Sequence, residues 1–404
     1  MIGKQTKIIK VGALCWRPMV VGDSIIFATF LNFFQDLNSL LIQQYQTTND
    51  EKYNIKYNIT FFIYIKNLHI PTLFYKKYID SGLLHITPHG YGKTMGFKNS
   101  TIANVKNLIE LAKLMRKDKF DYLFNTRSNS VPFHLACFFA MAKKLFVLKT
   151  GIKKSFKKYI FFGSQKRYSS IHRCTLTVDD LNNAIINYSA FADKNILLKN
   201  KIKPRQIEIS EDLLSVKQYA KPTIGFFIGA SYTDKTLHPK IWAKIFDYIK
   251  KTHKDTFDIA LFGFNQMEQN LKNYFEKEIQ NLGYNKTSYI DFVDKNELID
   301  DIKYCGGLSL AITNDSGFMH VASIFKIPTL SFFGYTPGNS FMTQAFNENN
   351  FIASQSSMKC SPCLTPGKCK FKIQDDIFDF RQCMMHERLD LHQKIDKAIA
   401  LIKN

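Results

Sequence analysis

The stretch from Leu310 to Gly338, LAITNDSGFMHVASIFKIPTLSFFGYTPG, constrains the fold of this chain more than any other. A buried-strand pattern at Leu310–Ile312 runs into a short polar turn, a helical pattern follows at once, and a second strand pattern spans Thr329–Phe333. This order of strand, tight turn, helix and strand is typical of a parallel sheet covered by helices. The turn, Thr313–Gly317, places backbone N–H groups at a helix N-terminus, where an anion is stabilised.

The side chains of this turn suit a nucleotide sugar. Asp315 lies in the turn, Ser316 and Gly317 supply a hydroxyl and N–H groups, and His320 follows one helical turn later. The carboxylate can accept hydrogen bonds from sugar hydroxyls while the helix end binds phosphate. Asn-Asp-Ser-Gly is also common turn chemistry, and His320 could equally be a hydrogen-bonded core histidine. From these residues alone, both interpretations stay open.

Strand and helix patterns alternate through the rest of the chain. Strands are predicted at 7–14, 58–65, 122–125, 223–228, 257–262 and 288–292, and helices at 25–40, 104–116, 239–251, 266–281, 296–304 and 392–402. A polar stretch at 199–218, which contains Lys203-Pro204, interrupts the pattern near residue 200. We therefore predict an α/β protein with two Rossmann-like domains, which would bind ligands beyond the carboxyl ends of their strands.

Charge is distributed unevenly along the 404 residues, whose formal net charge is +21. Residues 1–200 contain 29 Lys and Arg against 11 Asp and Glu, whereas residues 201–404 contain 26 against 23. A basic half of this size attracts an anionic partner, such as a phosphorylated substrate, a membrane surface or a nucleic acid. A codon bias towards lysine would raise the lysine content of both halves alike. It therefore explains the total net charge better than the uneven distribution of that charge.

Two further polar sites follow predicted strands. Asp23 stands at the first strand–helix junction, where it can act as a general base or simply cap the helix. Ser231 and Lys235 lie in the loop after the first strand of the second half, where a hydroxyl and an ammonium can bind phosphate oxygens. An ordinary surface loop with a solvated lysine is the alternative for this second site.

Four of the eight cysteines, Cys360, Cys363, Cys369 and Cys383, lie within 24 residues. In an intracellular protein, such clustering favours a bound metal over disulfides, and four thiolates suit tetrahedral zinc or iron. The spacing C-x2-C-x5-C-x13-C is nevertheless irregular for a zinc module. A structural metal, free thiols and disulfides all stay open, and none of them implies a catalytic role.

The segment 151–167, GIKKSFKKYIFFGSQKR, combines six basic and four aromatic residues with no acidic residue. This pattern fits docking on anionic lipid head groups, and a solvated loop is the alternative. No apolar run reaches the ~18 residues that span a bilayer, and no signal-peptide pattern follows the N-terminal lysines. We therefore expect a cytoplasmic protein.

In their order along the chain, these motifs resemble the heptosyltransferase family, glycosyltransferase family 9. The turn Val21–Ser24 and the loop Gly229–Lys235 occupy the places of two family motifs, although Leu237–Pro239 stands where the family usually has Trp-Pro. The stretch Asn314–His320 matches the most specific family motif, with Ser316 where threonine is common. Further matches are Gly263 with Glu268, the turn Gly334–Pro337 and the cysteine pattern.

The resemblance implies a GT-B fold, in which two Rossmann-like domains face each other across a cleft. Residues 1–200 would bind the acceptor, residues 201–385 would bind the sugar nucleotide, and the C-terminal helix within 386–404 would cross back to the first domain. The implied reaction is inverting transfer of a heptose from an ADP-activated donor to a hydroxyl of the lipopolysaccharide inner core. It would need no catalytic metal and would take place peripherally at the cytoplasmic surface of the inner membrane.

The resemblance also implies roles for individual residues. Asp23 would be the catalytic base that takes the proton of the acceptor hydroxyl. The donor-binding residues would be Ser231, Lys235, Gly263, Glu268, Asp315, Ser316, Gly317 and His320. Among them, Lys235, Ser231 and the N–H groups of Ser316 and Gly317 would stabilise the leaving diphosphate. Asp315 would orient the sugar hydroxyls, and His320 would support the turn or contact the diphosphate.

Two other functions stay open. Some members of the family glycosylate proteins of the autotransporter type, and the four-cysteine cluster is compatible with that branch. A basic nucleic-acid-binding protein is a more distant alternative, because the aromatic residues of 151–167 could stack on bases. That alternative leaves the Asp315 turn and the Lys235 loop unexplained, and basic charge alone is a non-specific signal.

Overall fold

The computed structural model describes residues 5–14, 21–22, 24–25, 53–64, 69–89, 101–125, 131–142, 144–149, 168–172, 210–231, 233–338, 347–363, 369, 371–374, 379–385 and 389–403. The chain divides into two compact units, Met1–Ser210 and Glu211–Asn404. The predicted boundary, near residue 200, lies ten residues before this division.

The first unit is built on a parallel sheet. Its strands are β1 (Gln5–Leu14), β2 (Tyr53–Tyr64), β3 (Leu84–His89), β4 (Tyr122–Asn125), β5 (Lys144–Lys149) and β6 (Tyr168–His172), and its described helices include α1 (His69–Asp80), α2 (Thr101–Lys117) and α3 (Val131–Phe139). The strand order is β3-β2-β1-β4-β5-β6, and every neighbouring pair is parallel. The chain order therefore reverses between β1 and β4, as in a doubly wound Rossmann sheet.

The second unit repeats this topology. Its parallel strands are β7 (Thr223–Phe227), β8 (Asp258–Phe262), β9 (Ile290–Asp291), β10 (Leu310–Asn314), β11 (Thr329–Phe333) and β12 (Phe351–Gln355), in the order β12-β11-β10-β7-β8-β9. Its described helices include α4 (Glu211–Leu214), α5 (Pro239–His253), α6 (Gln266–Asn281), α7 (Leu298–Gly306), α8 (Gly317–Ile324) and α9 (Leu391–Ala400). The short strands β13 (Lys372–Gln374) and β14 (Asp379–Arg381) form a separate antiparallel pair. The chain order reverses between β7 and β10, which is where such sheets bind ligands.

The core of the second unit explains why its central strands are continuous apolar runs. Every residue of β7, β10 and β11 is buried, as expected for parallel strands with both faces covered. Helix α5 presents Trp242 and Phe246 to this core. The side chains of Leu391, Ile395 and Ile399 on α9 enter the same core, so this helix packs within the second unit. The expectation that it crosses back to the first unit stays a prediction.

The stretch 131–148, which is mostly apolar but contains Lys143 and Lys144, divides into a helix and a strand. Helix α3 ends at Phe139, and Met141 then adopts a left-handed conformation with φ of 58° before β5 begins. None of the helices in the described ranges combines the length and apolar character needed to cross a membrane.

Candidate functional site

Asn314 connects β7 and β10 by hydrogen bonds at the reversal point of the second sheet. It is the last residue of β10, and its Nδ2 donates to the carbonyl oxygen of Ile228 at 2.9 Å and to those of Phe227 and Gly229 at 3.3 Å. Its Oδ1 accepts from the backbone N–H of Leu237 at 3.1 Å. One buried amide therefore fixes both ends of the loop that carries Lys235.

Lys235 and Asp315 form an ion pair beyond the ends of β7 and β10. Lys235 Nζ lies 2.5 Å from Asp315 Oδ2, and the Thr336 hydroxyl donates to the same oxygen at 2.6 Å. The ammonium is also 5.7 Å from the ring centroid of Tyr335. Lys235 keeps 18% of its side chain exposed, whereas Asp315 keeps only 4%. The lysine is therefore the partner that an incoming anion can reach.

The N-terminus of α8 lies directly after Asp315. Ser316 is its N-cap residue in an extended conformation, yet its side chain makes no capping hydrogen bond. Its Oγ is buried and has no hydrogen-bond partner within the described part of the chain. A buried hydroxyl without a partner carries a desolvation penalty, and orphan groups of this kind are frequent at binding sites. Ser316 and the free first-turn N–H groups of α8 can together hold an oxyanion.

His320 is buried on the inner side of α8, with 4% of its surface exposed. Burial lowers the pKa of its imidazole to about 4; the nearby Asp315 carboxylate raises it, and Lys235 lowers it. The ring is therefore neutral at pH 7 and adds no positive charge that could neutralise a diphosphate. Its predicted support of the turn and its predicted contact with the donor stay predictions.

Glu268 occupies the space left by two glycines at the ends of β7 and β8. A Cβ added to Gly229 would lie 1.8 Å from Glu268 Oε1, and one added to Gly263 would lie 2.9 Å from Glu268 Cβ. The carboxylate accepts a hydrogen bond from the backbone N–H of Phe264. Burial nevertheless raises its pKa from 4.5 to about 7. The structure thus brings Glu268 and Gly263, both predicted as donor-binding, to the same sheet edge as Asp315.

Ser231 and Asp23 are the remaining residues of the predicted site. Ser231 lies exposed in the loop after β7. Asp23 falls outside the described residues, as does the segment 151–167. The Tyr75 hydroxyl donates to the backbone oxygen of Ser24, the residue after Asp23 in the chain, at 2.6 Å. The role of Asp23 as base stays a prediction.

The four clustered cysteines line one small pocket, together with Asp234, Tyr335 and Arg381. All four thiols are free. Burial raises the pKa of Cys383 to about 12, so this thiol is neutral at pH 7. Among the residues that the structure describes, no group of three or more His, Cys, Asp or Glu side chains is arranged to hold a metal ion. The predicted zinc or iron site at Cys360, Cys363, Cys369 and Cys383 is therefore not supported.

Three contributors to this sheet edge are absent from the sequence-based set. Asn314 and Thr336 belong to motifs that the sequence singled out, but only the tertiary contacts reveal what their side chains bind. Arg381, which pairs with Asp234, ends the short strand β14 and carries no local signal of its own. An isolated arginine 147 residues from its partner cannot be paired by inspection of one sequence.

The fold and this site define an α/β protein of two doubly wound units, with the Lys235–Asp315 ion pair and the N-terminus of α8 at the reversal point of the second sheet. A model of the family described as glycosyltransferase family 9 (heptosyltransferase) matches residues 108–373. The chain therefore belongs to glycosyltransferase family 9.

Individual relatives agree with this membership. Lipooligosaccharide heptosyltransferase 2 of Campylobacter jejuni is 24% identical over 265 residues, which cover 64% of this chain and 71% of that protein. The structure of the Escherichia coli ADP-heptose lipopolysaccharide heptosyltransferase II matches with a TM-score of 0.60 at 13% identity, covering 98% of this chain and 99% of that one. An Escherichia coli heptosyltransferase solved with ADP-2-deoxy-2-fluoro heptose matches with a TM-score of 0.50 at 11% identity, covering 86% and 93%. The predicted GT-B class of α/β fold is thus confirmed.

Proposed function

We propose that this protein is an inverting glycosyltransferase that transfers a heptose from an ADP-activated donor to a hydroxyl of the lipopolysaccharide inner core. The observation that carries the proposal is the Lys235–Asp315 pair beside the N-terminus of α8, at the reversal point of the second sheet. The names of the relatives support the sugar and the acceptor class, and two related structures are named for ADP-heptose or its fluorinated analogue.

In the proposed reaction, the second unit holds the donor. Lys235, Ser231 and the first-turn N–H groups at Ser316 and Gly317 stabilise the charge that develops on the departing diphosphate. Asp315 accepts hydrogen bonds from sugar hydroxyls. The Lys235 ammonium rests against Asp315, so a bound diphosphate competes with this carboxylate for it.

The first unit, with its excess of Lys and Arg, supplies the acceptor side of the proposal. Asp23 takes the proton of the acceptor hydroxyl while that oxygen attacks the anomeric carbon, and the bond from this carbon to the diphosphate breaks. Attack from the face opposite the leaving group inverts the anomeric centre. A protein acceptor is the second candidate, because the four-cysteine cluster is compatible with relatives that glycosylate proteins.

Peripheral association with an anionic membrane is part of the proposal. Six of the ten large apolar side chains that are exposed in the described residues lie on α2, α3 and the turn after α3: Val105, Ile109, Leu114, Phe138, Phe139 and Met141. Lys106, Lys113, Arg116 and Lys117 are exposed on α2. Apolar side chains beside basic ones suit the head-group region of an anionic bilayer, where the acceptor resides.

The test is a transfer assay with the purified full chain. Purified lipopolysaccharide core or a candidate polypeptide is incubated with ADP-heptose, and the product is analysed by mass spectrometry and by NMR of the anomeric centre. We expect one added heptose with inverted configuration on the core. Transfer to polypeptides alone would favour the second candidate, and transfer to neither acceptor would contradict the proposal.

A further inference from the structure

Within the cysteine-rich segment, which we define as residues 358–385, strand β14 contacts the loop that carries Lys235. Arg381, the last residue of β14, donates from Nε to Asp234 Oδ1 at 2.7 Å, and its Nη2 contacts the same oxygen. Asp234 directly precedes Lys235 in a single 3₁₀ turn. The ion pair therefore connects β14 to residues 233–238, which we name the lysine loop.

Stability alone explains this ion pair poorly. Arg381 is 3% exposed and Asp234 is 9% exposed. Desolvation of two charges cancels most of the attraction in a buried pair, so such pairs contribute little net stability. Nη1 of Arg381 is also buried and, among the described residues, has no hydrogen-bond partner. The planar guanidinium fixes the direction of a bound carboxylate, and this imposed geometry accounts better for the pair.

A second contact holds the other end of the lysine loop. The ring centroids of Phe380 and His238 are 4.5 Å apart. Nδ1 of His238 accepts from the backbone N–H of Lys240 at 3.1 Å and so caps the N-terminus of α5. Two consecutive residues of β14, Phe380 and Arg381, therefore hold His238 and Asp234 on either side of the lysine.

The same segment also supports the turn that faces the lysine ammonium. A Cβ added to Gly334 would lie 2.7 Å from the Cys383 sulfur and 2.9 Å from the Met384 sulfur, so any larger residue here would displace these side chains. The Ser361 hydroxyl donates to the backbone oxygen of Gly334 at 2.5 Å. This turn continues into Tyr335, whose ring lies near the lysine ammonium.

We propose that Arg381 is a positioning residue for the transfer reaction, which holds the lysine loop so that the Lys235 ammonium meets the leaving diphosphate. The cysteine-rich segment is then the platform that connects the lysine loop to the Gly334 turn. This inference rests on the proposed function in one respect, namely that Lys235 binds the diphosphate.

The experiment combines a double-mutant cycle with backbone hydrogen exchange on the full chain. Arg381→Met and Arg381→Lys are made in the native protein and in Lys235→Met, with Asp234→Asn as a second way to remove the pair. ADP is the probe, its Kd is measured by calorimetry, and amide exchange is followed over the lysine loop. Ile395→Val, which removes one buried methyl group from the core contacts of α9, controls for a general loss of stability.

We expect Arg381→Met to weaken ADP binding about tenfold in the native background and less than about twofold in the Lys235→Met background, because the effect passes through the lysine. Exchange over the lysine loop should accelerate, Arg381→Lys should restore part of the affinity, and Ile395→Val should change neither quantity. Equal losses in both backgrounds, or unchanged exchange, would overturn the proposal. If Lys235→Met itself binds ADP normally, the proposed role of Lys235 fails, while the exchange result still decides whether Arg381 positions the loop.

Discussion

At the scale of single residues, Lys235 is shared between a carboxylate and the ligand that we propose for it. Its ammonium rests against Asp315, which Thr336 also holds. A bound diphosphate competes with this carboxylate for the same cation. Close pairs of opposite charge at a partly buried site interact by about 4 kcal/mol at an effective dielectric constant near 20. Removing either partner should therefore change nucleotide affinity, and in opposite directions.

Replacement of the two partners tests this competition. We expect Lys235→Met to weaken ADP binding by about tenfold or more, since a charge-assisted hydrogen bond contributes roughly 1.5–3 kcal/mol. Asp315→Asn frees the ammonium and should strengthen ADP binding while it lowers turnover of the sugar nucleotide. Calorimetric titration with ADP measures both effects, and Lys240→Met on the exposed side of α5 is the control. Weaker ADP binding in Asp315→Asn would contradict the competition.

Glu268 gives a second residue-scale prediction, on pH dependence. Burial raises its pKa from 4.5 to about 7, so between these values the unfolded chain releases a proton that the folded protein keeps. The free energy of unfolding therefore falls as pH rises from about 4.5 to about 7 and stays reduced above that range. Glu268→Gln removes this titration and should stabilise the ligand-free protein at pH 8 by at most about 3 kcal/mol.

Urea unfolding at pH 5 and pH 8 measures this effect. The increase in the free energy of unfolding that Glu268→Gln causes should be small at pH 5 and larger at pH 8. Glu297→Gln, which changes an exposed carboxylate at the start of α7, is the matched control. Equal gains at both pH values would mean that Glu268 is ionised in the folded protein throughout this range.

At the scale of elements, the site depends on how strands are joined. Asn314 bonds the end of β10 to the carbonyl groups of the last residue of β7 and of the two residues after it, and to the lysine loop. We expect Asn314→Ala to lower the free energy of unfolding by about 2–4 kcal/mol, because buried backbone groups lose their hydrogen-bond partners. Asn314→Asp should cost at least as much, since it places a carboxylate against carbonyl oxygens. Urea unfolding measures both, with Asn281→Ala at the exposed end of α6 as control; a cost below 1 kcal/mol for both would refute this role.

Element prediction succeeded where one physical signal dominated. Helix α6 and strands β4 and β11 have the predicted bounds, because their apolar residues recur with a clear period or as an unbroken run. Helix α1 was missed because its buried face is partly built from Tyr75 and Tyr78, and because Pro71 lies in its first turn. Strand β3, LHITPH, was missed because only its first and last residues are buried.

At the scale of the whole molecule, the basic excess of the first half and the apolar side chains on α2 and α3 predict binding to anionic vesicles. We expect cosedimentation with vesicles that contain phosphatidylglycerol, little binding to phosphatidylcholine, and release at high salt because screening weakens the attraction. Phe138→Ser with Phe139→Ser should reduce binding about tenfold or more. Leu282→Ser, which alters an equally exposed apolar residue in the second unit, should leave binding unchanged. Equal binding to neutral vesicles would argue against this surface.

The sequence alone determined the class of fold, because strand–turn–helix periodicity acts over a few neighbouring residues. It predicted the donor-site residues from turn chemistry and from the resemblance to the family. It pointed to Lys235, Glu268 and Asp315, but it could not say what their side chains contact. Only the tertiary structure decided that Asn314 fastens β7 to β10, that His320 is neutral, and that Arg381 holds Asp234. Those features depend on burial and on contacts between residues far apart in the chain, and neither has a local pattern in the sequence.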